Sequence, residues 1–377
     1  MKAFVLLLSL ISPLAGLASA QNNYLQTNLV SDIQGLAAHT DPNLVNPWGI
    51  TSTATSPFWV SDNGTGLSTL YNTSGTPQGL VVTIPPPLGS PAGTRSAPTG
   101  TVFNGTTNFN GDLFLFATEG GTIAGWRGAL GTTAETLVDN SSFAAIYKGI
   151  ALSTTGNNSY IYAADFHNGV ISVVPSSGAP ALGGNFTDPN LPSGYAPFNI
   201  QNINGSLLVT YALQDASKSD DVSGAGHGFV DVFDLNGNFV KRLISMSVLN
   251  SPWGLAIAPG NFGAFSNDLL VGNFGDGRIN AFDPGNGAFL GALNDAMGNP
   301  ITIQGLWGLR VGNGGNGGDP NFVYFAAGIP GAGEIEDHGL FGSISSVSDS
   351  GSTIILMVIA LSAIVAGSQF RLGGLLR

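Results

Sequence analysis

The sequence predicts an all-β protein folded as a β-propeller: six blades in a closed ring, each a four-stranded antiparallel sheet. Three observations carry that expectation. A stretch opening on a short apolar run recurs six times along the chain. Within each copy, apolar and β-branched runs alternate with Gly, Asn, Asp and Pro turns, which marks strands of a meander and shows no helical period. The last copy is one strand short, and the start of the chain carries a spare one.

The clearest copy spans residues 251–293 and opens on Pro252-Trp253-Gly254-Leu255. Its counterparts are Pro47-Trp48-Gly49-Ile50, Pro98-Thr99-Gly100-Thr101, Tyr147-Lys148-Gly149-Ile150, Pro197-Phe198-Asn199-Ile200 and Leu306-Trp307-Gly308-Leu309. Aligned on Gly49, Gly100, Gly149, Asn199, Gly254 and Gly308, the copies lie 51, 49, 50, 55 and 54 residues apart. A period of this size with four strands per unit reads as propeller blades. Second strands follow at 58–61, 113–117, 160–164, 207–211, 269–272 and 322–326. Turns such as Asp62-Asn63-Gly64, Glu119-Gly120-Gly121 and Asn273-Phe274-Gly275-Asp276-Gly277 then supply the positive φ that tight hairpins need. Blade six offers strands only at 308–311, 321–326 and 339–344, so residues 24–30 are expected to complete it. Pairing the two ends of the ring removes the edges that an open array would expose.

Composition bounds the function. Of 377 residues, 55 are Gly, 21 are Pro and only 9% are charged, and the Gly residues fall at regular turn positions rather than in disordered tracts. A net charge of -12, from 11 basic and 23 acidic residues, repels a phosphate backbone and argues against a nucleic-acid partner. The chain has no Cys, which excludes disulfides, thiol catalysis and thiolate metal sites.

The ends read as addresses. Residues 1–20 form a signal peptide: Lys2, an apolar run, then Ala18 and Ala20 in the small-x-small pattern that signal peptidase cuts before Gln21. The propeller domain is expected over 21–346. Residues 347–377 follow as Val347, Asp349, Ser350, Gly351, Ser352 and Thr353, a transmembrane run over about 353–370, and Arg371 and Arg377. This tail resembles the PEP-CTERM group of bacterial sorting signals, in the VPDSG-CTERM variant, with Ser348 where that variant has Pro. The resemblance implies transient membrane anchoring by the C-terminal segment. An exosortase-like transpeptidase would then transfer the body to the cell surface or extracellular matrix.

The body has a resemblance of its own. Asn46-Pro47-Trp48-Gly49-Ile50, Trp59-Val60-Ser61-Asp62-Asn63-Gly64, Gly228-Phe229-Val230-Asp231-Val232-Phe233-Asp234 and His338-Gly339-Leu340-Phe341-Gly342-Ser343 resemble a bacterial family of exported propellers without an assigned activity. More loosely, the blades are similar to NHL-type propellers and to gluconolactonase-like and streptogramin-lyase-like enzymes. Those enzymes imply a central metal held by carboxylate, amide or His ligands, and no such set matches here residue by residue.

Innermost strands line a propeller axis, so Trp48, Lys148, Asn199, Trp253 and Trp307 are expected near its mouth as ligand-binding candidates. The three Trp at one repeat position form either a sugar-stacking platform or packing wedges between blades, and the recurrence favours packing. In the long loop of blade four, Asp220 and Asp221 offer hard oxygen ligands for Ca²⁺ or another divalent cation, against the plainer reading of a solvated acidic loop. His39, His167, His227 and His338 have no metal-ligand spacing. Two function classes follow. The first is a surface or matrix propeller that binds extracellular polysaccharide or protein; the second is a metal-dependent hydrolase or lyase, lactonase-like, at the central channel. Carboxylates and amides converging on the axis favour the second, and an aromatic axis favours the first.

Overall fold

The structure is a computed structural model and describes residues 22–332 and 336–347. Within them the expected six blades stand in sequence order. Blade one comprises Pro47–Thr51, Phe58–Asp62, Leu67–Tyr71 and Val82–Thr83, and blade two comprises Pro98–Phe103, Phe114–Thr118, Thr122–Trp126 and Glu135–Asp139. Blade four runs from Tyr195–Ile203 to Phe239–Ser245, and blade five from Pro252–Ile257 to Phe289–Ala292. Blade six is built from Leu306–Val311, Val323–Ile329 and His338–Ser346, completed as expected by Tyr24–Ser31. That closing strand pairs antiparallel from Tyr24 opposite Ser346 to Ser31 opposite Leu340. Tyr24 also locks it to blade five, where its hydroxyl donates to Phe262 O at 2.9 Å and its ring packs on Phe262 and Phe265.

Blade three departs from the four-stranded expectation. Tyr147–Thr155, Asn158–Asp165 and Val170–Pro175 pair, but no fourth strand joins them. The following segment carries Pro180, Pro189 and Pro192, which cannot donate to a ladder. It docks instead on the last turn of blade four: Gly184 N and Phe186 N donate to Asn236 O and Gly237 O, and the Phe186 ring is buried against Tyr162 and Phe233.

Second strands such as Phe58–Asp62, Phe114–Thr118, Leu269–Asn273 and Val323–Ile329 are buried along their whole length. A blade packs on a neighbour at each face, so its central strands read as apolar runs without alternation. Packing is therefore between neighbouring blades, each pair sharing one core: Trp59 and Phe116 for blades one and two, then Leu115 and Ile161, Tyr162 and Val209, Val232 and Val271, Leu270 and Phe325, and Tyr324 and Val60 to close the circle.

The position on which the repeats align has a steric cause. A Cβ on Gly49 would meet Thr101 N at 2.7 Å, one on Gly100 would meet Ile150 N at 2.7 Å, and one on Gly254 would meet Trp307 O at 2.6 Å. Gly149 faces Asn199 and Gly308 faces Trp48 O in the same way. Around the axis each innermost strand presses its Gly against the backbone of the next. Asn199 alone carries a side chain there, and it spans the gap by donating to Trp253 O at 2.8 Å.

Candidate functional site

Of the residues just before the ring positions, Trp48, Lys148, Phe198, Trp253 and Trp307 meet at the axis, while Thr99 donates to Tyr147 O at 2.7 Å. Trp48 and Trp307 stack at 3.5 Å and 17°, and Trp253 meets both edge-on at 6.1 and 5.9 Å. Phe274 covers the remaining face of Trp307 at 4.0 Å and 21°. With Phe166 and Phe198 these rings form a buried plug across the channel. The Trp do converge, but no indole face is open to a sugar as a stacking platform would need. They pack on one another across the axis, not as wedges between blades.

On one side of the plug lies a polar mouth of about 380 Å³. Three of its lining residues, Asn63, Glu119 and Phe274, come from a second recurring position, the residue just after the second strand, where blades three and four carry Phe166 and Gln214. Asn46, buried with φ of 47°, is the hub. Its Oδ1 accepts the indole N–H of Trp48 at 3.0 Å and of Trp307 at 3.2 Å, and its amide donates to Glu336 Oε1 at 3.1 Å and Asn63 Oδ1 at 3.4 Å. Asn63 in turn donates to Glu119 Oε2 at 2.9 Å. Lys148, 2% exposed, ends the network with its ammonium at 2.5 Å from Glu119 and 3.0 Å from Asp220, over the Trp48 face at 5.2 Å. Trp253 Nε1 donates to the Lys148 carbonyl at 3.0 Å and fixes that strand.

The electrostatics follow from this crowding. Burial alone would lower the Lys148 ammonium, and the Glu119 and Asp220 carboxylates override it and hold it above its ordinary value. Burial, reinforced by Glu119, pushes the Glu336 carboxyl up to about 7, against the hydrogen bond from Asn46. Burial also raises Asp221. The mouth therefore offers carboxylate acceptors, amides that both donate and accept, and one carboxyl that exchanges its proton near neutrality.

Asp220 and Asp221 both line this mouth. Asp220 is committed to Lys148, and Asp221 Oδ2 accepts from Ser223 Oγ at 3.1 Å. Among the described residues no group of three or more His, Asp or Glu gathers in metal-ligating geometry. With an ammonium already 3.0 Å from Asp220, this donor set does not fit a resident divalent cation. Trp253, itself part of the plug, and Asn199 line a second cavity on its other side, with the ends of the innermost strands. Asn46, Asn63, Glu119 and Glu336 were not among the candidates read from sequence. Asn63 and Glu119 were legible as one recurring position, but Asn and Gly-flanked acids there also satisfy a turn.

Val347, the first residue of the expected sorting motif, is the last described residue, and its N–H donates to Asn23 O at 2.9 Å. Asp349, Ser350, Gly351, Ser352 and Thr353, the expected transmembrane run, and Ala18, Ala20 and Gln21 at the expected cleavage point lie outside the described residues. Among the described residues no helix is long and apolar enough to cross a membrane.

No protein-family model matches the chain. It is 36% identical over 335 residues to uncharacterized protein R648 of Acanthamoeba polyphaga mimivirus, covering 84% of this chain and 78% of that protein. Uncharacterized protein L690 of the same virus is 33% identical over 349 residues, covering 88% and 87%. Among solved structures, a glucose dehydrogenase superposes with a TM-score of 0.53 at 13% identity, over 86% of this chain and all of that one. At that identity the likeness is one of fold.

Proposed function

The chain belongs to the family of the mimivirus proteins R648 and L690, and from that premise and the geometry of the mouth we propose that it is a ligand-binding propeller for a polyhydroxylated ligand, such as a unit of an extracellular polysaccharide. Carboxylates and amides do converge on the axis, as the enzyme class would have them, but from Asn46 through Asn63 and Glu119 to Lys148 and Asp220 they are tied to one another and to an ammonium rather than left open for a cation, and that network carries the binding reading. It presents carboxylates and amides from several blades around one cavity, and ligand hydroxyls donate to the first and bond either way with the second. The rings beneath it provide a rigid floor that holds these groups in place rather than a stacking surface. The test is titration of the full chain with neutral and charged oligosaccharides, followed by tryptophan fluorescence, since Trp48 and Trp307 border the cavity. Saturable quenching that Asn63→Ala weakens supports the reading. A panel that moves neither fluorescence nor melting temperature sinks it.

A second reading has its own observation. Glu336, raised to about 7 beside Glu119, is suited to donate and accept a proton, which a hydrolase or lyase acting in the mouth requires. Such an enzyme would use these carboxyls without a resident cation. It predicts turnover that Glu336→Gln abolishes while binding persists.

The sequence ends support a location outside the cell: a signal-peptidase site before Gln21 and a tail suited to an exosortase-like enzyme. Cell fractionation with intact-mass measurement checks this. A product starting at Met1 and recovered in the cytoplasm rejects it.

A further inference from the structure

We propose that the end of the central channel opposite the carboxylate mouth binds a small oxyanion, a carboxylate or phosphate group, on Arg310 with Thr101 and Gln201. Beyond the plug the channel holds a cavity of about 230 Å³ lined by the innermost strands. The second residue after each ring position is Thr51, Val102, Ala151, Gln201, Ala256 or Arg310, so Arg310 is the one charge in that layer.

Its surroundings distinguish it from three other cations that are buried or half-buried. Arg127, Lys148 and Arg242 each bridge two carboxylates. Among the described residues Arg310 has no carboxylate partner; its one hydrogen bond is from Nη2 to Ser52 O at 3.3 Å, and its Nε is enclosed without an acceptor. Thr101 Oγ1, on the same wall, is also enclosed and unpartnered. A guanidinium carries five N–H donors, and enclosing it unpaired is costly. Burial accordingly lowers Arg310 from its ordinary value. In a chain with 23 acidic and 11 basic residues, carboxylates were available to neutralise it, yet none is placed there. The wall offers donors without an anion, and two oxygens of a carboxylate or phosphate fit a guanidinium fork in two parallel hydrogen bonds. Thr101 and Gln201 would donate to the lone pairs of these oxygens left free, or to a further oxygen of a phosphate.

The test is calorimetric titration of the full chain with sodium phosphate and with sodium acetate, against sodium chloride at matched ionic strength. One saturable site for phosphate or acetate is expected, at least tenfold weaker in Arg310→Met, intermediate in Arg310→Lys, and unchanged in Arg95→Met, which removes a cation from an exposed loop. The salt that saturates names the group. Absence of saturation with both salts, equal binding of chloride, or equal affinity in Arg310→Met overturns the proposal. The last result would mark general exclusion of a salting-out anion from the surface. If Arg310→Met does not fold, the Nε–H resonance of Arg310 in the wild-type chain serves instead. It moves saturably with phosphate or acetate if the site exists and stays fixed if it does not.

Discussion

Replacing Glu336 by Gln separates the charge of the mouth from its hydrogen bonding. The amide keeps an oxygen for the Asn46 donor, which lies 3.1 Å from Glu336 Oε1, and removes the titration. The wild-type carboxyl stands at about 7 in the folded chain against an ordinary 4.5. A folded value raised in this way gives a contribution to stability that is complete below the ordinary value and is lost as pH rises through 7. At ~1.4 kcal/mol per pKa unit the loss is on the order of 3 kcal/mol, and partial access of water trims it to ~2 kcal/mol. Glu336→Gln is therefore expected to match the wild type near pH 4.5 and to exceed it by ~2 kcal/mol at pH 8.5. Denaturant unfolding at closely spaced pH values measures the difference, and subtracting the two curves cancels the groups that do not interact with Glu336, including Asp231, which burial also pushes up to about 7. A difference that is constant from pH 4.5 to 8.5 refutes the account, because a lost contact has no such pH signature.

Three further outcomes follow from the ring. Gly254→Ala places a Cβ 2.6 Å from Trp307 O, a backbone atom that cannot move aside, and is expected to cost ~1–3 kcal/mol, whereas Gly183→Ala, open to solvent with nothing within 4 Å, changes stability by less than ~0.5 kcal/mol in equilibrium unfolding. Trp307→Ala removes the ring between Trp48 and Phe274 and is expected to cost ~3–5 kcal/mol by the same measurement, with a shift in the fluorescence of the remaining Trp. A chain starting at Asp32 lacks the strand that pairs with His338–Ser346 and leaves that edge bare. It is expected to aggregate on size-exclusion chromatography, and a monomeric, cooperatively melting product would show that closure is dispensable.

The ring was legible in the sequence because its cause is steric and recurs. Gly49, Gly100, Gly149, Gly254 and Gly308 are held at one spacing by backbone contact between neighbours, and the residue type itself reports the contact. Closure by residues 24–30 was legible for a related reason, since a blade one strand short must find its partner at the other end of the chain. The plug was half legible: the repeat brings Trp48, Trp253 and Trp307 to one level, but nothing in it says that their faces cover one another. The missing strand of blade three was signalled by Pro180, Pro189 and Pro192, yet the turns of every blade also use Pro. Hidden most fully was the link from Asn46 to Glu336, which are 290 residues apart and meet only because the ring closes.

The repeat also indicates where to look for chemistry. Packing explains a residue that matches its equivalents in the other blades, and it does not explain one that departs from them. Just before the ring position, Lys148 departs from Trp48, Thr99, Phe198, Trp253 and Trp307; just after the second strand, Glu119 departs from Asn63, Phe166, Gln214 and Phe274; in the lower channel, Arg310 departs from Thr51, Val102, Ala151, Gln201 and Ala256. Each is the one charged residue at its level. The first two pair at 2.5 Å and turn an aromatic axis into a polar mouth, while the third is left without a carboxylate. An uncompensated charge at the axis lowers stability, and of these three only Arg310 lacks a carboxylate, which is why the proposed oxyanion site is placed on the axis and not on the outer faces of the blades.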